Sequence, residues 1–175
     1  MDVARLVRPY GGGNNSHDLV RAMVRNNIQS DGIVVLGPIN RGEAVRKALS
    51  ISPMEVIRAI KTSRLRGRGG AGFPTGMKWE FTRQADGDEK VVICNADEGE
   101  PGTFKDRVLL TEFADRVFAG MTIAGYALGA ELGILYLRAE YEYLRVFLEH
   151  ILEKRREDGL LGDDVLGLGK QKFDI

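Results

Sequence analysis

The chain has 175 residues, and 25 lysine and arginine residues balance 25 aspartate and glutamate residues. A chain of this length can bury one core of its own, and zero net charge gives no overall field to attract nucleic acid. One cysteine and two histidines exclude a disulfide framework and are too few for a structural zinc site or an iron–sulfur cluster. We therefore expect a metal-free protein that is not a general nucleic-acid binder.

The single cysteine favours a cytoplasmic protein, and the hydropathy pattern predicts a soluble one with no direct membrane span. No apolar run approaches the length of about 18 residues that a spanning helix needs. Arginines and glycines interrupt the first thirteen residues too early for a signal peptide.

The first third of the chain predicts two helices and one short strand. Residues 11–32 predict a loop and a short helix, and residues 33–36 predict a brief strand. Residues 52–55 form a capping box with proline at the first helical position, which predicts a helix over residues 53–63. That helix leads directly into a glycine-rich loop.

The glycine-rich loop carries an unusual amount of positive charge. Its glycines allow main-chain N–H groups to approach a phosphate, and Arg64, Arg66, Arg68 and Lys78 stand beside them. A plain surface turn has no need of such a cluster, so we favour phosphate binding over a structural turn.

The spacing of Gly67, Gly69 and Gly72 matches the dinucleotide fingerprint of Rossmann folds. That motif requires a strand before it and a helix after it. Here a predicted helix precedes the loop, and residues 73–76, which include a proline, follow where a helix should begin. An ordinary Rossmann dehydrogenase is therefore a minor alternative.

The remaining elements alternate between strands and helices. Residues 90–94 predict a strand, residues 105–132 carry apolar residues at the spacing of two helices, and residues 134–137 predict a second strand. A helix with one apolar face follows and ends at Gly159. This order predicts an α/β layer architecture.

Several residues within these elements have structural interpretations. We interpret Gly120, Gly125 and Gly129 as sites of close packing rather than of ligand binding. Trp79 is interpreted as a packing residue, and Cys94 as a small buried apolar residue.

An acidic loop begins at the end of the first predicted strand, where ligands of open α/β sheets gather. The side chains of Asn95, Asp97, Glu98 and Glu100 suit hydroxyl groups and ring edges. A solvated turn explains these residues equally well when they are considered alone. Together the two loops predict a site for a phosphorylated, polyhydroxylated cofactor such as a nucleotide or a flavin.

Two long motifs resemble a known family. Residues 66–79 (RGRGGAGFPTGMKW) and 94–107 (CNADEGEPGTFKDR) closely resemble the flavin- and NADH-binding subunit of respiratory complex I. The same module occurs in NAD-reducing hydrogenases and NAD-dependent formate dehydrogenases, and details point to the diaphorase subunit of a soluble hydrogenase. The resemblance implies an α/β, Rossmann-like FMN-binding domain that is incomplete in this chain. Residues 1–51 would be an N-terminal extension, and residues 52–175 the N-terminal portion of the FMN- and NADH-binding domain.

The resemblance also implies cofactors and site residues. FMN and NAD would be bound, and a hydride would pass from NADH to the flavin. The residues expected to hold FMN are Gly67, Arg68, Gly69, Gly70, Lys78, Asn95, Asp97 and Glu98. NADH would stack on Phe73 and Phe81, and Glu100 would bind its hydroxyl groups.

The family's cluster-binding cysteines have no counterpart in this sequence. We expect iron–sulfur clusters only on the missing part or on partner subunits of a hydrogenase, formate dehydrogenase or complex I-like assembly. The chain would be a truncated subunit, a fragment or one half of a split subunit, inactive alone and either unstable or associated. Two functions stay open: part of an NADH:acceptor oxidoreductase (diaphorase), or a non-catalytic interaction or assembly module that keeps the fold without flavin.

Overall fold

The computed structural model describes residues 24, 26, 28, 34–68, 70–87 and 89–175. The helix predicted between residues 11 and 32 lies almost entirely outside this part of the chain. Residues 34–37, which include most of the predicted brief strand, form bends instead. The guanidinium group of Arg116 donates to the carbonyls of Val34, Val35 and Gly37, so these carbonyls face a helix rather than a neighbouring strand.

Helices and strands alternate along the described residues. In chain order they are α1 (Glu43–Leu49), α2 (Pro53–Thr62), α3 (Thr75–Gln84), β1 (Val91–Ala96), α4 (Lys105–Glu112), α5 (Ala114–Leu128), β2 (Leu132–Leu137) and α6 (Arg145–Glu157). Two short 3-10 helices, Ala139–Leu144 and Val165–Gly167, lie on either side of α6. Within the ranges given above, no helix is both long enough and apolar enough to cross a bilayer.

The predicted elements with strong local signals are confirmed. The capping box of α2 is present, because the Ser52 hydroxyl accepts from the Glu55 N–H at 3.3 Å and the Glu55 carboxylate accepts from the Ser52 N–H at 2.8 Å. Both predicted strands form and are slightly longer than expected, and residues 105–132 contain two helices.

Helix α3 corrects one prediction. It begins at Thr75, directly after the glycine-rich loop, so the expectation that no helix follows the loop is wrong. Pro74 is the N-cap and has an extended backbone, so its missing N–H removes no bond from the helix. The loop therefore connects one helix to another, and the strand that a Rossmann motif requires before it is replaced by α2.

The sheet is a parallel pair in which Val91 lies opposite Leu132 and Ala96 opposite Leu137. Helices α4 and α5 connect the two strands in sequence, and α5 packs against both of them. Because the strands are parallel, their carboxyl ends meet at one edge. The acidic loop and the first 3-10 helix both start at that edge.

Phe173 fixes the distance between α5 and the sheet. Its side chain is fully buried, and a Cβ added to Gly125 or Gly133 would lie only 2.5 or 2.8 Å from its ring. The close-packing interpretation of Gly125 is therefore confirmed, whereas for Gly120 it is wrong, because Gly120 is exposed and nothing lies within 4 Å of an added Cβ. Gly129 has another role, because it ends α5 in the left-handed conformation at a φ of 76°.

Helices α2 and α3 cross where Gly76 contacts Lys61. A Cβ on Gly76 would lie 2.7 Å from the Lys61 backbone nitrogen, which is too close without moving a helix. We expect Gly76→Ala to lower the free energy of unfolding by about 2 kcal/mol. The matched control is Gly120→Ala, because Gly120 is exposed in α5 with nothing within 4 Å of an added Cβ. This control should stabilise the protein by about 0.5–1 kcal/mol. Urea denaturation followed by circular dichroism measures both, and equal effects would refute the crossing argument.

Candidate functional site

The glycine-rich loop is closed at its base by backbone hydrogen bonds. Arg66 and Pro74 form an antiparallel bridge. The Gly67 N–H donates to the Phe73 carbonyl at 2.9 Å, and the Thr75 N–H donates to the Leu65 carbonyl at the same distance. The base fixes the ends of the loop, which leaves its interior residues exposed to solvent; Gly69 is outside the described residues.

Arg66 holds the shape of the loop from one side. Its Nε donates to the Gly72 carbonyl at 2.6 Å. Gly70 and Gly72 have φ values of 100° and 59°, a region that favours glycine. From the sequence, Arg66 is recognised only as a member of the charged cluster. Its position at the opening of the loop is the one signal for its other role, which is to hold the shape of the loop.

Positive charge around the loop is not neutralised by the rest of the described chain. Arg64, Arg66, Arg68 and Lys78 are exposed, and none of them has an ion-pair partner among the described residues. Lys61, on the preceding helix, is by contrast paired with Glu80 at 2.8 Å. Unpaired cations beside a glycine-rich backbone fit an anionic group such as a phosphate.

Helix α3 presents a lysine and an aromatic ring one turn apart. Lys78 and Phe81 are both exposed and lie on one face of the helix, and Phe73 is exposed just before it. Trp79 turns the other way and packs against the core, as predicted. The structure therefore places one cation and two rings on the surface that follows the loop, and their predicted contacts with FMN and NADH stay predictions.

The acidic loop leaves β1 through a tight turn. The Asn95 side-chain oxygen accepts from the Asp97 N–H at 3.0 Å, and the Gly99 N–H donates to the Asp97 carbonyl at 2.9 Å. The side chains of Asn95, Asp97 and Glu100 are exposed. These three polar groups are available to hydroxyl groups of a ligand at the carboxyl end of the sheet.

Glu98 differs from its neighbours because it is buried, with 3% of its surface exposed. Its carboxylate accepts from the backbone N–H of Asp106 at 2.8 Å, from that of Arg107 at 3.3 Å, and from the Tyr141 hydroxyl at 2.8 Å. Burial opposes ionisation of Glu98, but these hydrogen bonds outweigh it and hold the pKa of the carboxyl below its ordinary value. Ionised Glu98 therefore contributes stability above its unfolded-state pKa, which is lost as the pH falls through the lower folded-state pKa.

Tyr141 is a site residue that the sequence does not reveal. It lies in the 3-10 helix after β2, and no local pattern marks its contact with a residue 43 positions earlier. Burial, and then the hydrogen bond donated to Glu98, raise the pKa of the Tyr141 hydroxyl. Tyr141 therefore stays protonated and able to donate at neutral pH.

One helix supports both loops. Helix α3, which follows the glycine-rich loop, packs against α5, and the Arg83 guanidinium donates to the Ala127 carbonyl at 2.8 Å. Strand β1, which leads into the acidic loop, packs against the same helix. Within the described residues, no hydrogen bond joins the loops directly, so α5 sets their relative position.

The chain is similar in sequence to several known proteins. It is 50% identical over 173 residues to the alpha subunit of the NAD-reducing hydrogenase HoxS of Cupriavidus necator, which covers 98% of this chain and 29% of that protein. It is 47% identical over 127 residues to an NADH-quinone oxidoreductase protein of Rhizobium meliloti, covering 72% of this chain and 30% of that protein. This chain thus spans less than a third of the length of these relatives.

A solved structure shows the same fold. An NAD+-reducing NiFe hydrogenase in the H2-reduced state superimposes with a TM-score of 0.64 at 48% identity, over 68% of this chain and 20% of that chain. The family model of the Nuo51 FMN-binding domain matches residues 60–173, which include both loops. The resemblance identified from the two motifs is confirmed, and the chain belongs to the family of the Nuo51 FMN-binding domain.

Proposed function

We propose that this chain is part of an NADH:acceptor oxidoreductase of the diaphorase type that binds FMN and NAD(H). The observation that carries the proposal is the group of cations around an exposed glycine-rich loop, which have no ion-pair partner in the described part of the chain. Membership in a family described as FMN-binding supports the choice of cofactor. When bound, FMN would supply the acceptor for a hydride from NADH.

The glycine-rich loop and α3 would hold the phosphate end of FMN. Backbone N–H groups inside the loop, such as that of Gly70, can approach an anion because no Cβ stands in the way. The Gly67 N–H is already engaged by the Phe73 carbonyl, so Gly67 would give the phosphate room rather than a hydrogen bond. Arg68 and the exposed Lys78 would neutralise its charge. Arg66 would act on the shape of the loop, because its Nε already donates to the Gly72 carbonyl.

The acidic loop and the exposed rings would orient the rest of the ligands. Asn95 and Asp97 are exposed at the carboxyl end of β1 and are proposed to bind flavin hydroxyl or ring atoms. Phe73 and Phe81 provide exposed aromatic surface for stacking on the nucleotide. Glu100 would bind nucleotide hydroxyl groups, since its carboxylate is exposed in the same loop.

The parallel sheet has an exposed apolar face. Parallel sheets are normally buried on both faces, but here one face is exposed. The apolar residues on this face each have 40–64% of their surface exposed. They are Val91, Ile93, Leu132, Ile134 and Tyr136. We propose that this face is covered by the rest of the flavin subunit, in this chain or another, and that electrons continue to iron–sulfur partner subunits. The chain alone would be inactive.

Replacement of Ile93 tests the exposed face. Ile93 is 64% exposed at the centre of that face. We expect the wild-type chain to self-associate as its concentration rises, and Ile93→Lys to shift it towards monomer, because a lysine cannot be buried cheaply between apolar faces. Val146→Lys is the control, since Val146 is 51% exposed on α6, away from the sheet. Sedimentation velocity measures the size; a wild-type chain that stays monomeric at every concentration would contradict the argument.

Anaerobic reduction of bound flavin tests the proposed reaction. The chain would be combined with the part of the Cupriavidus necator relative that lies beyond the matched region and loaded with FMN. Addition of NADH should then bleach the visible absorbance of the flavin. If dithionite reduced the bound FMN but NADH did not, the proposed hydride transfer from NADH to FMN would be refuted.

A further inference from the structure

We propose that Tyr141 and Glu98 form a clamp that fixes the acidic loop, and that this clamp is a positioning device for the cofactor. The claim that the clamp positions the cofactor rests on the proposed FMN function, whereas the clamp itself does not. The two residues act through the backbone of the loop, in contrast to the direct flavin contact that the family resemblance predicts for Glu98.

The carboxylate of Glu98 is held by three donors from within the protein. Oε1 accepts from the Asp106 N–H, and Oε2 accepts from the Arg107 N–H and the Tyr141 hydroxyl. The two amides belong to the first turn of α4, where free N–H groups and the helix dipole favour a negative charge. A buried carboxylate with all these partners leaves little surface for a ligand.

The hydroxyl of Tyr141 ties together the segments that follow both strands. Ala96 and Leu137 are the last paired residues of the parallel strands, and the Arg138 N–H continues the pairing by donating to the Ala96 carbonyl at 3.2 Å. Glu98 lies two residues beyond β1, and Tyr141 four residues beyond β2. Their 2.8 Å hydrogen bond closes the gap between the two segments at the edge where ligands of such sheets gather.

The clamp determines how the exposed groups of the acidic loop are presented. Asp97 immediately precedes Glu98, and Glu100 follows two residues later. Both are exposed, so their positions depend on the backbone that Glu98 anchors. A looser anchor would spread these carboxylates over more orientations. It would therefore weaken the binding of any ligand that requires them in a single orientation.

Tyr141→Phe is the main test because it removes one hydroxyl and leaves the two amide bonds to Glu98. The matched control is Tyr143→Phe, in the same 3-10 helix with ring centroids 6.3 Å from Tyr141, since no hydrogen bond of its hydroxyl is found in the described ranges. Without FMN, amide hydrogen exchange of Asp106 and Arg107 should be about fivefold faster in Tyr141→Phe. With FMN, the dissociation constant should rise about fivefold and the bound-flavin absorbance band should change shape. Tyr143→Phe should change none of these.

The outcomes separate the clamp from the proposed function. Unchanged exchange in Tyr141→Phe would overturn the clamp, whether or not the wild-type chain binds FMN. Faster exchange with unchanged FMN affinity and spectrum would overturn the positioning role. Faster exchange in Tyr141→Phe, combined with a wild-type chain that binds no FMN even when the remainder of the flavin-binding protein is supplied, would support the clamp and refute the proposed function instead. Glu98→Gln, which keeps the size of the side chain but loses an acceptor, should reproduce the exchange change of Tyr141→Phe.

Discussion

Arg155→Met is expected to lower the free energy of unfolding by about 3–5 kcal/mol, because it would leave a buried carboxylate without its main partner. Arg155 on α6 is fully buried, and its Nη1 lies 2.7 Å from Oδ1 of Asp115, which is itself 1% exposed. The guanidinium also donates to the Asp115 carbonyl and the Thr122 hydroxyl, both at 3.4 Å. Asp115 lies in the first turn of α5, so this pair joins α6 to the helix that supports both loops.

Two further variants make the test of this ion pair specific. Arg145→Met, on the same helix, removes an arginine that is 59% exposed and paired with Glu142 and Glu149. It should cost less than about 1 kcal/mol, because exposed pairs contribute little. The double variant Arg155→Met with Asp115→Leu should recover part of the loss, since both members of the buried pair are then removed. Arg41, the other ion-pair partner of Asp115 at 3.4 Å, keeps its ion pair with Asp158 at 3.2 Å. Urea denaturation measures all three; a single Arg155→Met loss no larger than that of Arg145→Met would contradict the account.

Lys78→Met is expected to weaken FMN binding about 100-fold. A charge-assisted hydrogen bond to a phosphate contributes up to about 3 kcal/mol, and about 1.4 kcal/mol corresponds to a tenfold change in dissociation constant. Lys78 is exposed on α3, so its replacement should leave the fold intact. Fluorescence titration with FMN measures the change.

Riboflavin and a second lysine serve as controls for Lys78. Riboflavin lacks the phosphate, so its dissociation constant should be the same for wild-type protein and Lys78→Met. Lys47→Met removes an exposed lysine on α1, outside the proposed site, and should leave FMN affinity unchanged. If Lys78→Met weakened riboflavin as much as FMN, the lysine would not contact the phosphate.

Elements whose cause is local could be predicted from the sequence. Helix α2 begins at a capping box, and its two reciprocal hydrogen bonds involve residues only three apart. Strand β1 is a β-branched run bounded by turn-forming residues. The glycine-rich loop could also be recognised, because its composition alone specifies an exposed backbone near positive charge.

Features that depend on distant contacts could not be predicted. The sequence does not predict the start of α3, because Pro74 has the look of a helix break, although a proline before the first helical residue removes no hydrogen bond from the helix. Residues 34–37 look like a strand, but their carbonyls are held by Arg116, about 80 residues later in the chain. The burial of Glu98 depends on Tyr141, 43 residues away, so the sequence could not separate it from its exposed neighbours.

The exposed sheet face makes association of the chain with itself a concern in stability measurements. Alternation along β1 and β2 places Val92, Cys94 and Leu135 towards the core. The opposite face is apolar too, as is typical of parallel strands that are buried on both sides. Stability measurements on the chain should therefore be made at low concentration, where association through this face contributes least.

Titration of the purified chain with FMN, followed through flavin fluorescence, tests the central claim most directly. We expect saturable binding of one FMN, with riboflavin bound more weakly because it lacks the phosphate that the cations around the glycine-rich loop would neutralise. Equal affinity for FMN and riboflavin, or no binding of FMN even when the remainder of the flavin-binding protein is supplied, would contradict it.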